Sequence, residues 1–552
     1  MSKSVVRDSK YRHVFGKAAP KEGCYEGLNT AGVSAPDSNL VAANRHFFAL
    51  SWKGGGGPFV VHPIACAGKL ERVVDKEMHP PCVFNGHSGA VLDLEFAPLH
   101  DTVVASASED MTVRVWNFQG KLSPTAPLAS DIPDTVATSL TGHGKKATLV
   151  RWHPVASHIL LSASFDNTLR VWDAEAGKEA LAVALEDTPQ HVAWAYDGAF
   201  AAVVTKDKKI ALCDPRARGV AAQIDAHAGT KGARVCFLGR SNMLCSTGFS
   251  RQSDRQLFLY DVRQIRALPR VSETLVDQAS GSLLPFFDAD ASLLFLVGKG
   301  DCNMRYYEVV ESAPLIHYVD QFVGKDPQRG AALCPKAVCD VATCEVARFL
   351  RLTDKALEPV SFTVPRKSGS GNEDLYPPSY SGAPGLTAAQ WLSGDNASPV
   401  LAPLVFAGAE SSVFAGAAPA HPPTDAPSPA GKQATPPPKE ATPCGEGEGC
   451  ADEEWGEEPA HEGAVAGNVG ADGSLSRRTV APVDQAAETT EPRDAVPAAV
   501  GAAPAVSPTV GPAVGPTVTI TFASEKAALA ALQARVAELE AENASLRSRL
   551  GE

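Results

Sequence analysis

Two sets of residues in this chain have the makings of a nucleophilic triad: His87, Ser106 and Asp110, and again His143, Ser162 and Asp166. A serine beside a histidine that a carboxylate orients is the arrangement of acyl-transfer enzymes. A tryptophan follows each set, Trp116 and Trp172, at the same distance from the histidine (116 − 87 = 29; 172 − 143 = 29). One nucleophile serves an enzyme, so a set that recurs at fixed spacing points to a buried hydrogen-bond network instead, histidine to aspartate and serine to tryptophan, tying strands together. No GxxxxGK[ST] phosphate loop, HExxH zinc helix or GxSxG elbow accompanies them. The chain reads as non-enzymatic, with no cofactor.

The residues around each set explain what must hold it. GHSGAVLDLEF opens one segment at Gly86 and GHGKKATLVRW the other at Gly142; both continue in apolar residues at period two, the pattern of half-buried strands. Weaker copies end at Cys213-Asp214, Tyr260-Asp261 and Tyr307-Glu308 (213 − 172 = 41; 260 − 213 = 47; 307 − 260 = 47). That period is near the 40–45 residues of a WD repeat, in which each unit makes one blade of a propeller. With two further strand ends near Val61 and Phe349, the blade ends fall at 61, 116, 172, 213, 260, 307 and 349. The expected fold is an all-β seven-bladed WD-repeat propeller over residues 1–357. The strand-like YRHVF at 11–15 is expected to complete the last blade and close the ring.

Beyond it, residues 358–407 carry aromatics without a period and read as an extension packed on the propeller, with a short helix over 387–392. Residues 408–520 are rich in Pro, Ala and Gly and poor in large apolar residues; too little surface can be buried to offset the entropy of ordering, so they read as a disordered, acidic linker. Within it, Trp455 stands in the acidic run Asp452–Glu458. The run is either a solvated stretch or a short linear motif with Trp455 as anchor. It is similar to the acidic-tryptophan motif of proteins that bind the actin-related-protein nucleation complex.

Residues 521–552 carry a heptad: Leu529, Val536, Asn543 and Leu550 at a, Leu532, Leu539 and Leu546 at d. Such a pattern makes a coiled coil, and one this short implies self-association into a homo-oligomer. Arg535 faces Glu540 in a parallel pairing, and Asn543 at a fixes register at some cost in stability. The core residues favour two strands, the Arg535–Glu540 stretch resembles a trimer signature, and the many alanines leave a tetramer open.

A net charge of −13 argues against a general nucleic-acid binder, though not against a local basic patch. The opening MSKSVVRDSK has no apolar stretch and no run of about 18 apolar residues follows, so neither a secretory leader nor a membrane span is expected. The cysteines then read as reduced thiols of a cytoplasmic protein. Cys334, Cys339 and Cys344 lack the paired spacing of a zinc site, and no metal is expected.

With these parts assembled, the chain resembles the coronin family of actin-binding proteins. VVRDSKYRHVFG, CYEGL at 24–28, TGFSRQSDRQLFLYD, LLPFFDADASLLFLVGKGD, KDPQRG and TVPRKS…EDLYP are similar to family stretches in the same order, covering residues 1 to about 395. The resemblance implies binding of filamentous actin, regulation of the nucleation complex, oligomerisation through the tail, and a place at the actin cytoskeleton. Arg7, Lys10 and Arg12 match the basic positions of the family's N-terminal signature; they either contact acidic actin or pack at the closure. Family members often carry an arginine after the CYE segment, where this chain has Leu28-Asn29-Thr30-Ala31-Gly32. A rival reading is a WD-repeat adaptor for other proteins, a ubiquitin-ligase substrate receptor or trafficking adaptor. Its support is Asp261-Val262-Arg263 and Asp214-Pro215-Arg216, which resemble the D-x-R element of such propellers.

Overall fold

A computed structural model describes residues 9–404, apart from 31–34, 36–37, 75–76, 80, 125–135 and 367–371. Seven antiparallel sheets follow one another along the chain, here blades 1 to 7, over residues 41–84, 91–140, 147–184, 189–225, 234–277, 283–323 and 328–363. The first strands of successive blades touch one another from blade 7 through blade 1 to blade 6, so they line the axis of the ring. In blades 3 to 6 burial is greatest in the second strand and least in the fourth. The second strand of blade 3, Ile159–Ser164, is buried along its whole length, and so is that of blade 6, Leu293–Gly298. Both faces pack on neighbouring sheets, and such strands read as continuous apolar runs. By contrast, the outermost strand of blade 5, Arg270–Asp277, exposes half of its residues and buries none.

Six of the seven strand ends expected from sequence lie in the third strand of their blade; Val61, for example, is in Phe59–Pro63. Phe349 does not. It sits in Glu345–Thr353, the second strand of blade 7, and the third is Ala356–Thr363. That third strand carries Pro359, whose ring can donate nothing to a ladder and makes the stretch read as a strand's end. The structure accommodates it because Pro359 offers its carbonyl instead, accepting from the Ala19 N–H at 2.8 Å. The strand therefore passes residue 357 and ends at Thr363.

Closure comes from the expected N-terminal segment but is shifted along it, since of YRHVF only Phe15 pairs. The N-terminal chain completes blade 7 with two short strands along the outer edge of Ala356–Thr363: Phe15–Ala18, paired with 360–363, and Tyr25–Glu26, paired with 356–357. Residues 11–14 are turn and bend, yet they anchor the closure. Val14 is fully buried, and the Tyr11 hydroxyl donates to the Leu375 carbonyl at 2.7 Å.

Residues 372–404 cross the loops of several blades. The Tyr380 hydroxyl donates to the Pro154 carbonyl at 2.8 Å, and Ser379 donates to Asp290 at 2.5 Å. The helix Ala388–Ser393 starts where expected because Thr387 and Gln390 form a reciprocal capping box. It drives Trp391, fully buried, against both His153 and Trp194, at 4.9 and 5.8 Å between ring centroids. The indole N–H donates to the Gly198 carbonyl at 3.2 Å. Gly198 has φ +71°, and a Cβ there would lie 2.0 Å from the His153 ring, so this docking requires glycine.

Candidate functional site

In blade 2 the four side chains meet in a chain of donors. The Trp116 Nε1–H donates to Ser106 Oγ at 2.8 Å, Ser106 Oγ lies 2.7 Å from His87 Nε2, and His87 Nδ1 lies 2.8 Å from Asp110 Oδ2. Because the ionised Asp110 can only accept, the proton of a neutral imidazole sits on Nδ1 facing it, and Nε2 accepts from the Ser106 hydroxyl, whose oxygen in turn accepts from the indole. Blade 3 repeats this with Trp172, Ser162, His143 and Asp166, at 2.8, 2.7 and 2.9 Å.

Electrostatics hold the chain of donors in that state. Burial lowers the pKa of His87 and of His143 against the pull of their aspartates. Burial alone would raise the Asp110 carboxyl, but the Thr112 hydroxyl, the His87 ring and the Ser88 and Thr112 N–H groups outweigh it and bring it to about 2. Asp166 is brought to about 2 in the same way. Ser106 and Ser162 are completely buried with an indole N–H on the oxygen. No substrate carbonyl can approach them, so the chemistry of this arrangement is cross-bracing.

A third histidine-serine pair escapes the sequence pattern. His227 Nε2 lies 2.9 Å from Ser246 Oγ in blade 5, and the histidine-to-serine separation is 19 residues, as in blades 2 and 3. Two changes hide it: the aromatic is Tyr260, and it comes 33 residues after the histidine (260 − 227 = 33). The 19-residue spacing was the signal that could have found it.

Around the axis the inner strands carry charge. Arg151 donates to Asp93 at 2.5 Å, and Ser38 donates to the other Asp93 oxygen at 2.8 Å. Burial raises the neighbouring Glu95 carboxyl to about 7, against the pull of Arg151. Lys299 donates to the Ser38 carbonyl at 2.5 Å, so blades 2 and 6 both grip the segment that leads into blade 1.

Of the basic N-terminal residues, Lys10 and Arg12 are exposed. Lys10 Nζ donates to the Asp374 carbonyl at 2.7 Å, and Arg366 holds the Asp374 carboxylate at 2.7 Å. Arg12 Nε donates to the adjacent His13 at 3.3 Å. Lys10 therefore joins the N-terminal segment to the extension, while Arg12 extends into solvent. Arg7, Trp455 and the tail residues Leu529, Leu532, Arg535, Val536, Leu539, Glu540, Asn543, Leu546 and Leu550 lie outside the described residues.

The two D-x-R arginines are both engaged within the chain. Arg216 donates to the Asp395 carbonyl at 3.1 Å and to Asn396 at 2.9 Å, above the Trp391 ring. Arg263 forks onto Asp261 at 2.9 and 2.6 Å. Cys334, Cys339 and Cys344 are buried, and burial pushes the Cys334 thiol up to about 12. Among the described residues, no three histidine, cysteine or acidic side chains gather as metal ligands. Nor is any helix long and apolar enough to cross a membrane.

Known proteins share this architecture and sequence. Residues 78–117 and 134–173 match the WD domain, G-beta repeat; residues 357–399 match a type of WD40 repeat; residues 4–69 match a domain of unknown function. Coronin-2A of Homo sapiens is 39% identical over 407 residues, covering 72% of this chain and 74% of that one. Coronin-A of Dictyostelium discoideum is 41% identical over 401 residues, covering 72% and 86%. The chain belongs to the coronin family. A coronin-like protein of Schizosaccharomyces pombe is 38% identical over 73% of this chain, which spans 65% of that protein's length. Among solved structures, the WD40 domain of Toxoplasma gondii coronin superposes with a TM-score of 0.64 at 28% identity, covering 71% of this chain and 98% of that domain. The sequence resemblance and the seven-bladed fold thus lead to the same family.

Proposed function

We propose that this coronin-family chain is an oligomeric scaffold that binds actin filaments and regulates actin-cytoskeleton dynamics in the cytoplasm. Kinship at 38–41% identity across some 400 residues carries the reading. In it, the propeller supplies the filament surface, with Lys10 and Arg12 at its closure. The heptad tail supplies copy number, and Trp455 a contact to the actin-related-protein nucleation complex. Joining several propellers makes each further binding event intramolecular, raising avidity without new contacts. Family members often carry an arginine at the position where this chain has none, so avidity is the means by which a weaker single contact would suffice.

Co-sedimentation with actin filaments tests this. Full-length protein is expected to pellet with filaments, deletion of residues 525–552 to weaken pelleting by about tenfold or more through lost avidity, and Arg12→Glu to weaken it further. Failure of the full-length chain to pellet at low salt sinks the reading.

A further inference from the structure

We propose that the trough between blades 4 and 5, beside Ser398 of the extension, docks a carboxylate-rich protein segment that inserts a bulky aromatic side chain, a partner surface beyond the actin reading. The trough encloses about 500 Å³, within the range of ligand pockets. Phe200, Leu212, Phe237, Val262 and Ile265 make its lining largely apolar. Two guanidinium groups stand at it. Arg240 is exposed, lies over the Tyr196 ring at 5.7 Å and donates to its hydroxyl at 3.2 Å. Arg263, with a side chain 71% exposed, is braced by Asp261 through its Nε and one terminal nitrogen. Arg266 is exposed on the same loop as Arg263. Set against Asp197 and Asp261, the three arginines leave an excess of one positive charge at this apolar trough (3 − 2 = 1), in a chain of net charge −13.

The fit is to separate carboxylates on a peptide. A guanidinium has five N–H donors, so each arginine, though held in place, keeps some for a second acceptor. Being held beforehand reduces the ordering cost of binding. A polyphosphate is a poorer match, because Asp197 also lines the trough and Asp261 already offsets Arg263. The apolar lining asks for an inserted side chain, and an aromatic anchor flanked by arginines is a recurrent source of binding energy.

The test uses full-length protein and the fluorescein-labelled peptide Asp-Glu-Glu-Phe-Glu-Glu, read by fluorescence anisotropy at low salt. Saturable binding is expected, weakened about tenfold or more in the Arg240→Ala, Arg263→Ala double variant. It should weaken similarly when the peptide's Phe is replaced by Ala. Ile265→Asp, which alters the lining and leaves both arginines, should weaken it as well, and circular dichroism with a thermal melt establishes that each variant is folded. Should one variant fail to fold, the other and the Ala peptide still decide. The proposal is overturned if the peptide does not bind, if folded variants bind it equally, or if a peptide with Lys for Glu binds as well. Binding of ATP or of phosphatidylserine vesicles in place of the peptide, abolished by the same substitutions, also overturns it.

Discussion

Blade 3 and blade 5 are fastened by the same histidine-serine bond, yet their surroundings differ. In blade 3, Asp166 accepts from His143 Nδ1, the Gly144 N–H, and the Thr168 N–H and hydroxyl, while Trp172 caps Ser162. In blade 5, the His227 ring stacks on Phe258 at 4.1 Å between centroids, and the loop carboxylate, Asp254, turns onto Ser250 of its own loop at 2.8 Å. The shared element is the bond from the loop before the first strand to the second strand. Carboxylate and indole are reinforcements added to it, and they are what sequence patterns detect.

The largest expected effect comes from removing the reinforcement. Asp166→Ala leaves four donors without their acceptor and is expected to cost about 3 kcal/mol in urea unfolding, since hydrogen bonds to a charged group are the stronger kind. Asp254→Ala in blade 5 should cost under about 1 kcal/mol, because its partners, Ser250 on its own turn and the exposed Gln278 amide, lie near solvent. Equal losses would break the distinction between the blades. Next comes the shared strut. Ser162→Ala removes the partner of both His143 and Trp172 and should cost about 2 kcal/mol, against about 1 for Ser246→Ala, with its single histidine bond. A larger loss at Ser246 would mean that blade 5 leans on this bond more than blade 3 does.

These residues also show how far sequence could reach. The repeat of 29 residues from histidine to tryptophan exposes blades 2 and 3 because every member of the network is a polar or aromatic type whose position is fixed. Blade 5 keeps the geometry with Tyr260 and Phe258, so its strands are legible by alternation while its strut is not. The ring's closure was legible as a principle but misplaced. Tyr11 and Val14 are apolar for packing rather than pairing, and the strand they introduce, Phe15–Ala18, contains Gly16 and Lys17, poor strand formers on their own. Gly16 is there because a Cβ would lie 2.8 Å from Phe322 and Phe362, a tertiary reason that local pattern does not contain. The trough of Arg240 and Arg263 was equally hidden, since its lining comes from two blades and the extension. An overall charge of −13 conceals a basic patch that only the fold assembles.

The smallest expected effect concerns acid. Burial lowers His227 to about 4, and burial likewise lowers His153, beneath the extension, to about 4. An unfolded histidine titrates near 6.5. The unfolded chain therefore takes up the proton first, so this contribution to stability is full above about pH 6.5 and declines as pH falls toward 4. Between about pH 7.5 and pH 6 each such histidine should remove roughly 1 kcal/mol. Urea midpoints across that interval are expected to flatten in His227→Gln, while His143→Gln changes the slope less, because Asp166 pulls the His143 pKa up against its burial. A carboxylate beside the ring would then be doing two things in blades 2 and 3: it orients the imidazole, and it moderates the cost of protonating it. Were both variants to flatten the slope alike, the aspartate's part would reduce to orientation, and blades 3 and 5 would differ in geometry without differing in their response to acid.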